Sequence, residues 1–159
     1  MAAQSHQQKA VPLPLRLLVP ALIVLLALYV ALPVAMAVDR GSTGASIMRD
    51  NPALDPADLD FAVNAALVYA FALHAVSAVL AVWFTVKALK GRRWARIALT
   101  GYLVLATLGS FASAAAGPEY YWAVIPTDAI QLAMIAALWL PGPARRFFAV
   151  SGHREGRGG

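Results

Sequence analysis

Residues 87–96, with the sequence KALKGRRWAR, carry five of the chain's 13 lysines and arginines. Two long uncharged runs flank this segment, one over residues 61–86 and one over residues 97–118. Lysine and arginine that border membrane-spanning helices remain on the cytoplasmic side of a bilayer. The segment therefore predicts a cytoplasmic turn between two spans, and it sets the direction in which each of them crosses.

The overall composition indicates a membrane protein. Of the 159 residues, 60% are hydrophobic and 13% are charged, whereas about a quarter of a soluble domain is charged. The absence of cysteine excludes disulfides, thiol redox chemistry and cysteine-ligated metals. The net charge of +5 lies at the edges of the apolar runs and not on a basic face with polar or aromatic base readers, so we expect no nucleic acid partner.

Two more apolar runs, over residues 17–38 and 120–140, bring the number to four. A helix rises ~1.5 Å per residue, so ~20 residues cross the ~30 Å hydrocarbon core. We therefore predict an all-α fold: an integral membrane four-helix bundle with antiparallel up-down topology. The predicted segments are a cytoplasmic tail (1–14), a transmembrane domain (15–143) with helices at about 15–38, 57–88, 94–116 and 119–140, and a basic cytoplasmic tail (144–159).

The distribution of cations supports one orientation of this bundle. Eleven of the 13 lysines and arginines fall on one side of the predicted topology, and the other two are Arg40 and Arg49. By the positive-inside rule, both termini are then cytoplasmic. The predicted location is the bacterial cytoplasmic (inner) membrane, where the chain is multi-pass and its first partner is the lipid bilayer.

The first run also has features of a secretory signal peptide. Lys9 and Arg16 precede a leucine-rich core, and Ala35-Met36-Ala37 matches an A-x-A cleavage site. The run is longer than the ~7–15 residues of a signal core, which favours an uncleaved span. Both interpretations leave the remaining helices with the same orientation, so the charge pattern leaves both open.

The longest polar stretch, residues 39–60, is predicted to be a solvated extracytoplasmic loop. Gly41 and Gly44 indicate an irregular start. Asp55 followed by Pro56 predicts the start of the second span, because aspartate caps a helix and proline suits its first turn. The aspartates lack the ligand spacing of a calcium loop, so we expect neither a metal nor a cofactor.

Prolines near the ends of the spans predict kinks and stops. Pro33 and Pro126 lie inside apolar runs and predict kinks there. Residues 141–143, Pro-Gly-Pro, predict the end of the fourth span. Beyond them, Phe147 and Phe148 are predicted to rest on the membrane surface.

The stretch Lys90-Gly91-Arg92-Arg93-Trp94-Ala95-Arg96 opens a span of an alanine-rich, four-run chain that ends in an arginine-containing tail. This layout resembles the small uncharacterised integral membrane proteins common in actinobacteria. The resemblance covers the whole chain. It implies a host lineage, and it brings no activity with it.

Small residues mark the faces on which membrane helices pack, because they let backbones approach closely. Ala62, Ala66 and Ala70 recur every four residues in the second run and share one helix face. Gly101 and Gly109 lie on a similar stripe of the third run. These five positions are the predicted helix-packing residues.

A polar layer is predicted within the bundle. At ~1.5 Å per residue, the polar side chains of the second, third and fourth runs fall at similar depths in the middle-to-outer half of the bilayer. The first helix offers only Tyr29 and is predicted to lie at the edge of this layer. The candidate members are His74, Thr107, Ser110, Asp128 and Gln131.

Two of these residues have alternative interpretations. Asp128 with Gln131 fits a capping box for a helix that restarts after Pro126, but such a helix would be too short to span, which favours an acid inside a kinked helix. An acid inside the membrane is a functional candidate, yet it can also simply hold helices together. For His74, a structural hydrogen bond is favoured over a proton relay, and the run sequences supply too few ligands for haem or zinc.

No nucleophile elbow, phosphate loop or metalloprotease motif is present in the sequence, so we expect no enzymatic activity. The first functional hypothesis is an accessory or assembly subunit, or a homo-oligomer, which would bind other membrane proteins or itself. The alternative is a small transporter or proton-coupled carrier that uses Asp128 and His74.

Overall fold

The computed structural model describes residues 11–116 and 118–155, and within these ranges it is helical with no β-strand. Most of the predicted tail 1–14 and the last four residues of the predicted tail 144–159 lie outside the described residues. The helices are α1 (Leu13–Arg16), α2 (Leu18–Val38), α3 (Arg40–Asp50), α4 (Leu59–Leu89), α5 (Arg93–Ala116), α6 (Tyr121–Trp139) and α7 (Gly142–Glu155). Short 3-10 turns at Pro56–Asp58 and Pro118–Tyr120 lead into α4 and α6.

Four helical segments in the described chain are long and apolar enough to cross a membrane: Leu13–Val38, Pro56–Leu89, Arg93–Phe111 and Pro118–Trp139. They contain α2, α4, α5 and α6, which occupy the four apolar runs of the sequence. Helix α2 packs against α4 and α6, and α5 packs against the same two helices. The four long helices therefore surround a shared interior. Leucines from three of them fill its core, including Leu18, Leu25, Leu99, Leu103 and Leu138.

The turn between α4 and α5 depends on one glycine in the KALKGRRWAR segment. Gly91 has φ +79°, a left-handed conformation that favours glycine. Its N–H donates to the carbonyl of Ala88 at 2.8 Å, and the N–H of Arg92 donates to the carbonyl of Lys87 at 3.3 Å. This is the Schellman pattern that ends a helix. The two longest apolar helices are thus joined by a turn of defined geometry.

The stretch after α2 is helical, which corrects the prediction of an irregular start to a polar loop. The side chain of Asp39 accepts a hydrogen bond from the N–H of Ser42 at 3.0 Å and caps α3. Gly44 is buried, and a Cβ there would lie 3.6 Å from Val63 and 3.7 Å from Leu59. The helix forms because its small residues let it lie directly on the start of α4, a tertiary contact that outweighs the weak helix propensity of glycine and serine.

Helix α3 is also tied to the start of α6. A guanidinium nitrogen of Arg49 lies 2.8 Å from Oε1 of Glu119. This hydrogen-bonded carboxylate raises the pKa of Arg49. A second contact joins α3 to α4, where Arg40 donates to Oδ1 of Asn64 at 3.1 Å. The two arginines predicted on the outer side therefore hold the α3 segment against the ends of two long helices.

The C-terminal helix α7 folds back onto the bundle. Phe148 is 1% exposed, so the prediction that it rests on the membrane surface is wrong. Arg93 of α5 donates to the backbone carbonyls of Phe148 at 2.9 Å and Ala149 at 2.8 Å. The guanidinium of Arg96 lies 3.7 Å from the ring centroid of Trp139 and 5.0 Å from that of Phe148, within cation–π range. The basic segment therefore also anchors α7.

Candidate functional site

The bundle interior holds a group of buried polar side chains at the contact between α5 and α6. Thr107 donates through Oγ1 to Oε1 of Gln131 at 2.6 Å. One turn further along α5, Ser110 is hydrogen-bonded to Oδ1 of Asp128. Gln131 is 1% exposed and Asp128 is 8% exposed. The structure thus brings together four of the five predicted members of the polar layer as two side-chain pairs.

Two tyrosines extend this group across the bundle. Gln131 donates through Nε2 to the hydroxyl of Tyr29 at 3.2 Å, and the hydroxyls of Tyr29 and Tyr102 are 2.9 Å apart. Tyr102 donates its hydrogen to the backbone carbonyl of Ser77 at 3.0 Å. Because a carbonyl can only accept, the hydrogen between the two tyrosines must come from Tyr29. One directed chain therefore runs from α6 through α2 and α5 to α4.

This chain corrects the predicted position of the first long helix. Tyr29 is 7% exposed and lies inside the layer, so α2 is a full member of the bundle and not its edge. Tyr102 was missing from the predicted set. The available signal was a phenol in the middle of an apolar run, where a hydroxyl must find a protein partner because no water is at hand.

His74 lies beside the layer but is not hydrogen-bonded to it. Its Nδ1 lies 2.7 Å from the carbonyl of Ala70, one turn earlier in α4. Since that carbonyl can only accept, Nδ1 carries a hydrogen, and Nε2 of the neutral ring is an acceptor. The ring packs edge-on against Tyr29, with 5.6 Å between centroids. His74 thus joins the predicted layer through an aromatic contact.

Asp128 lies inside a continuous helix. Helix α6 begins at Tyr121, and both Pro126 and Asp128 fall within it, so the helix does not restart after the proline. The partner of Asp128 has a second acceptor within reach: Oγ of Ser110 is also 2.8 Å from the carbonyl of Thr107, a common contact for serine in a helix. The single hydroxyl hydrogen of Ser110 therefore faces a carbonyl oxygen and a carboxyl oxygen at once.

A cavity of about 610 Å³ adjoins the layer. This volume is within the ~300–1,000 Å³ range of small-molecule sites. All four long helices line it, through the second halves of α2 and α5 and through residues of α4 and α6 that lie from the first half to just past the middle. Tyr29, Ser110 and Gln131 of the polar layer form part of its wall, and so does His74. The polar network and the cavity are therefore one site.

The predicted packing residues divide into two groups. Ala70 is buried and Ala62 and Ala66 are half-buried, in keeping with a packing face on α4. Gly101 and Gly109 are exposed, and a Cβ built on either would meet no heavy atom of a neighbouring element within 4 Å. The prediction that these glycines permit close helix approach within the chain is therefore corrected. Gly109 instead lines the cavity.

Comparison with protein-family models, with curated proteins and with solved structures found no match to this chain. The resemblance to small actinobacterial membrane proteins stays a prediction. Within residues 11–116 and 118–155, no group of three or more histidines and acids is placed to hold a metal ion.

Proposed function

We propose that this chain is a four-span protein of the bacterial cytoplasmic membrane that works, without catalysis, as a small proton-linked carrier. In this proposal the spans alternate in direction, both termini are cytoplasmic, and the cavity lies in the half of the bundle that faces away from the cytoplasm. The cation distribution of the sequence supports this orientation.

The outer faces of the four long helices support membrane insertion. Large apolar side chains point away from the bundle, among them Ile23 at 62% exposure, Leu132 at 57% and Val68 at 69%. Soluble monomers rarely expose contiguous apolar surfaces of more than a few hundred Å². Lipid is the environment in which such a surface has no free-energy cost.

One observation carries the proposed activity: a buried carboxyl group, Asp128, is hydrogen-bonded within a polar network that walls a cavity. Acids inside a membrane are costly, and those that occur mark solute pathways and proton relays. A purely structural role would need only a helix-to-helix hydrogen bond. It would leave the adjoining cavity, which the polar network partly lines, unexplained.

The contacts of Asp128 are compatible with the gain and loss of a proton. The hydroxyl group of Ser110 is within hydrogen-bond distance of both Oδ1 of Asp128 and the carbonyl of Thr107. A hydroxyl group can both donate and accept. Ser110 can therefore donate to the carboxylate, or accept from the carboxylic acid while it donates to the carbonyl. In the proposed cycle, Asp128 takes up a proton and releases it during transport.

The test uses proteoliposomes that contain a pH-sensitive dye and carry an imposed membrane potential. We expect protein-dependent proton movement in the wild type, and its loss in Asp128→Asn and in the Asp128→Asn, His74→Ala double variant. Asp60→Asn is the control, because Asp60 is an exposed acid in the first turn of α4. A wild type that moves no more protons than empty vesicles contradicts the carrier.

Gly101 favours a second function, that of an accessory subunit or homo-oligomer. It is exposed on α5 and does not line the cavity. Exposed glycines in a span permit close contact with another membrane helix. Light scattering in mild detergent compares the mass of the wild type with that of Gly101→Leu. If the wild type forms an oligomer or copurifies with another protein and Gly101→Leu does not, the result supports this role. If both are monomers without a copurifying protein, the result contradicts it.

A further inference from the structure

We infer that the cavity binds an uncharged, largely apolar molecule bearing a hydroxyl group, and that this molecule enters sideways from the hydrocarbon between α4 and α5. The inference rests on the proposed function and specifies the ligand class of that same site.

The lining of the cavity disfavours a charged ligand. Within the described part of the chain, no lysine, arginine, aspartate or glutamate lines it, and most of its wall is formed by leucine, alanine, valine and aromatic rings. Moving an unpaired charge into such surroundings is strongly unfavourable. Asp128 lies behind Ser110 and has no place in the wall. The walls therefore suit a neutral molecule with an apolar body.

The exposure of the lining residues shows where the cavity opens. On α4, Tyr69 is 68% exposed and Leu73 is 47% exposed, and on α5 Leu105 is 70% exposed. The lining residues of α6, in contrast, include the buried Ala123 and Val124. The opening therefore lies between α4 and α5. Because these residues belong to apolar spans, the opening faces lipid, and a ligand that passes through it must dissolve in hydrocarbon.

We infer a hydroxyl group on the ligand from the atoms in the cavity wall that can still form a hydrogen bond. Nδ1 of His74 is occupied by the carbonyl of Ala70, and among the described residues no hydrogen bond reaches Nε2. In the neutral ring Nε2 accepts. The hydroxyl hydrogen of Tyr29 is committed to Tyr102. The hydroxyl groups of Tyr69, Ser77 and Thr127 also line the cavity, and they can donate or accept. A ligand hydroxyl group can likewise do both, so it complements this wall, with Nε2 of His74 as its acceptor.

The experiment uses photoaffinity labelling in phosphatidylglycerol nanodiscs with four probes of equal chain length. Each probe is a twelve-carbon chain with a diazirine, ending in a hydroxyl, a methyl, a carboxylate or a trimethylammonium group. Labelled residues are identified by mass spectrometry. We expect the alcohol to label the lining leucines, such as Leu73 and Leu105, and to do so about fivefold more than the other three probes, the gain of one hydrogen bond.

Two pairs of variants make the result specific. Gly109→Leu fills part of the cavity, whereas Ala129→Leu changes an exposed position of α6 that does not line it. We expect the first to reduce alcohol labelling about tenfold and the second to leave it unchanged. His74→Phe keeps an aromatic ring but removes the acceptor, so it should lower labelling by the alcohol about fivefold while labelling by the methyl-ended probe stays the same.

The labelling results distinguish an error in the proposed ligand class from an error in the proposed carrier function. If a charged probe labels these leucines most strongly, and Gly109→Leu abolishes that labelling, the ligand class is wrong but the cavity remains a ligand site. Equal labelling by the alcohol and the methyl-ended probe shows that the cavity holds only acyl chains, which also overturns the inference. If no probe labels the cavity in a way that depends on Gly109, the proposed carrier fails together with its ligand.

Discussion

Gln131 and Tyr29, which are 102 positions apart in the chain, are joined by a hydrogen bond of 3.2 Å inside the bundle. This bond connects α6 to α2, and the bonds on either side of it reach α5 and α4. In the proposed membrane setting, no water would replace a lost partner. The position of each long helix is therefore linked to that of the others through side-chain hydrogen bonds.

Removal of the Tyr29 hydroxyl should weaken the bundle. Tyr29→Phe leaves Nε2 of Gln131 without its acceptor and Tyr102 without its donor, so we expect a loss of about 1–2 kcal/mol in the free energy of unfolding. Tyr69→Phe is the control, because Tyr69 is 68% exposed. Unfolding in mixed detergent, followed by circular dichroism, measures both. Equal stability of the two variants would show that the network contributes nothing.

Replacing Gly91 by alanine should lower the free energy of unfolding, whereas replacing Gly101 by alanine should raise it. Gly91→Ala forces a Cβ into a left-handed conformation with φ +79°, at a cost of about 1–2 kcal/mol. Gly101→Ala lies within a helix and meets no neighbouring atom within 4 Å, so it should stabilise by about 0.5–1 kcal/mol. The same unfolding measurement compares them. An unchanged free energy of unfolding in Gly91→Ala would contradict the left-handed turn at Gly91.

The docking of α7 can be tested by truncating its buried ring. Phe148 is 1% exposed, and Phe148→Ala should cost about 3–5 kcal/mol of local stability. We expect the α7 segment to become sensitive to trypsin in inside-out vesicles, while the half-buried Phe147→Ala variant stays more resistant. A Phe148→Ala variant as resistant as the wild type would indicate that α7 is held by other contacts.

The proposed carrier requires Asp128 to gain and lose a proton, which infrared spectroscopy can follow. A protonated carboxyl group gives a carbonyl band that an ionised carboxylate lacks. We expect such a band to appear on acidification of the wild type and to be absent from Asp128→Asn. In Ser110→Ala the carboxyl group loses its hydrogen-bond partner, so the band should move to higher frequency. Wild-type and Asp128→Asn spectra that change identically on acidification would contradict a role of Asp128 in proton transfer.

Much of this architecture can be predicted from the sequence, because helices that are to lie in lipid need long apolar runs. Apolar runs of membrane length identify the four candidate spans, because lipid requires such runs and few other structures produce them. Equal depth then selects Thr107, Ser110, Asp128 and Gln131, which the structure pairs. For Tyr102 the sequence shows only a phenol within an apolar run, and nothing in that run indicates that it meets Tyr29 and Ser77.

The parts that sequence reasoning missed depend on tertiary contacts. Helix α3 contains residues that favour turns, and it forms where Gly44 lies on Leu59 and Val63. Helix α7 docks because Arg93 reaches backbone carbonyls more than fifty positions away. The exposure of Gly101 and Gly109 depends on how α5 is rotated about its axis, which a stripe of small residues does not fix.

The most direct test of the account is the topology of the chain in a bacterial membrane. Two reporters are fused in separate experiments: a fluorescent protein that folds only in the cytoplasm, and a phosphatase that is active only outside it. Each is placed after Asn51, between α3 and α4, or at the C-terminus. We expect phosphatase activity at the first position and fluorescence at the second. The reverse pattern, or a protein that remains soluble without detergent, would contradict it.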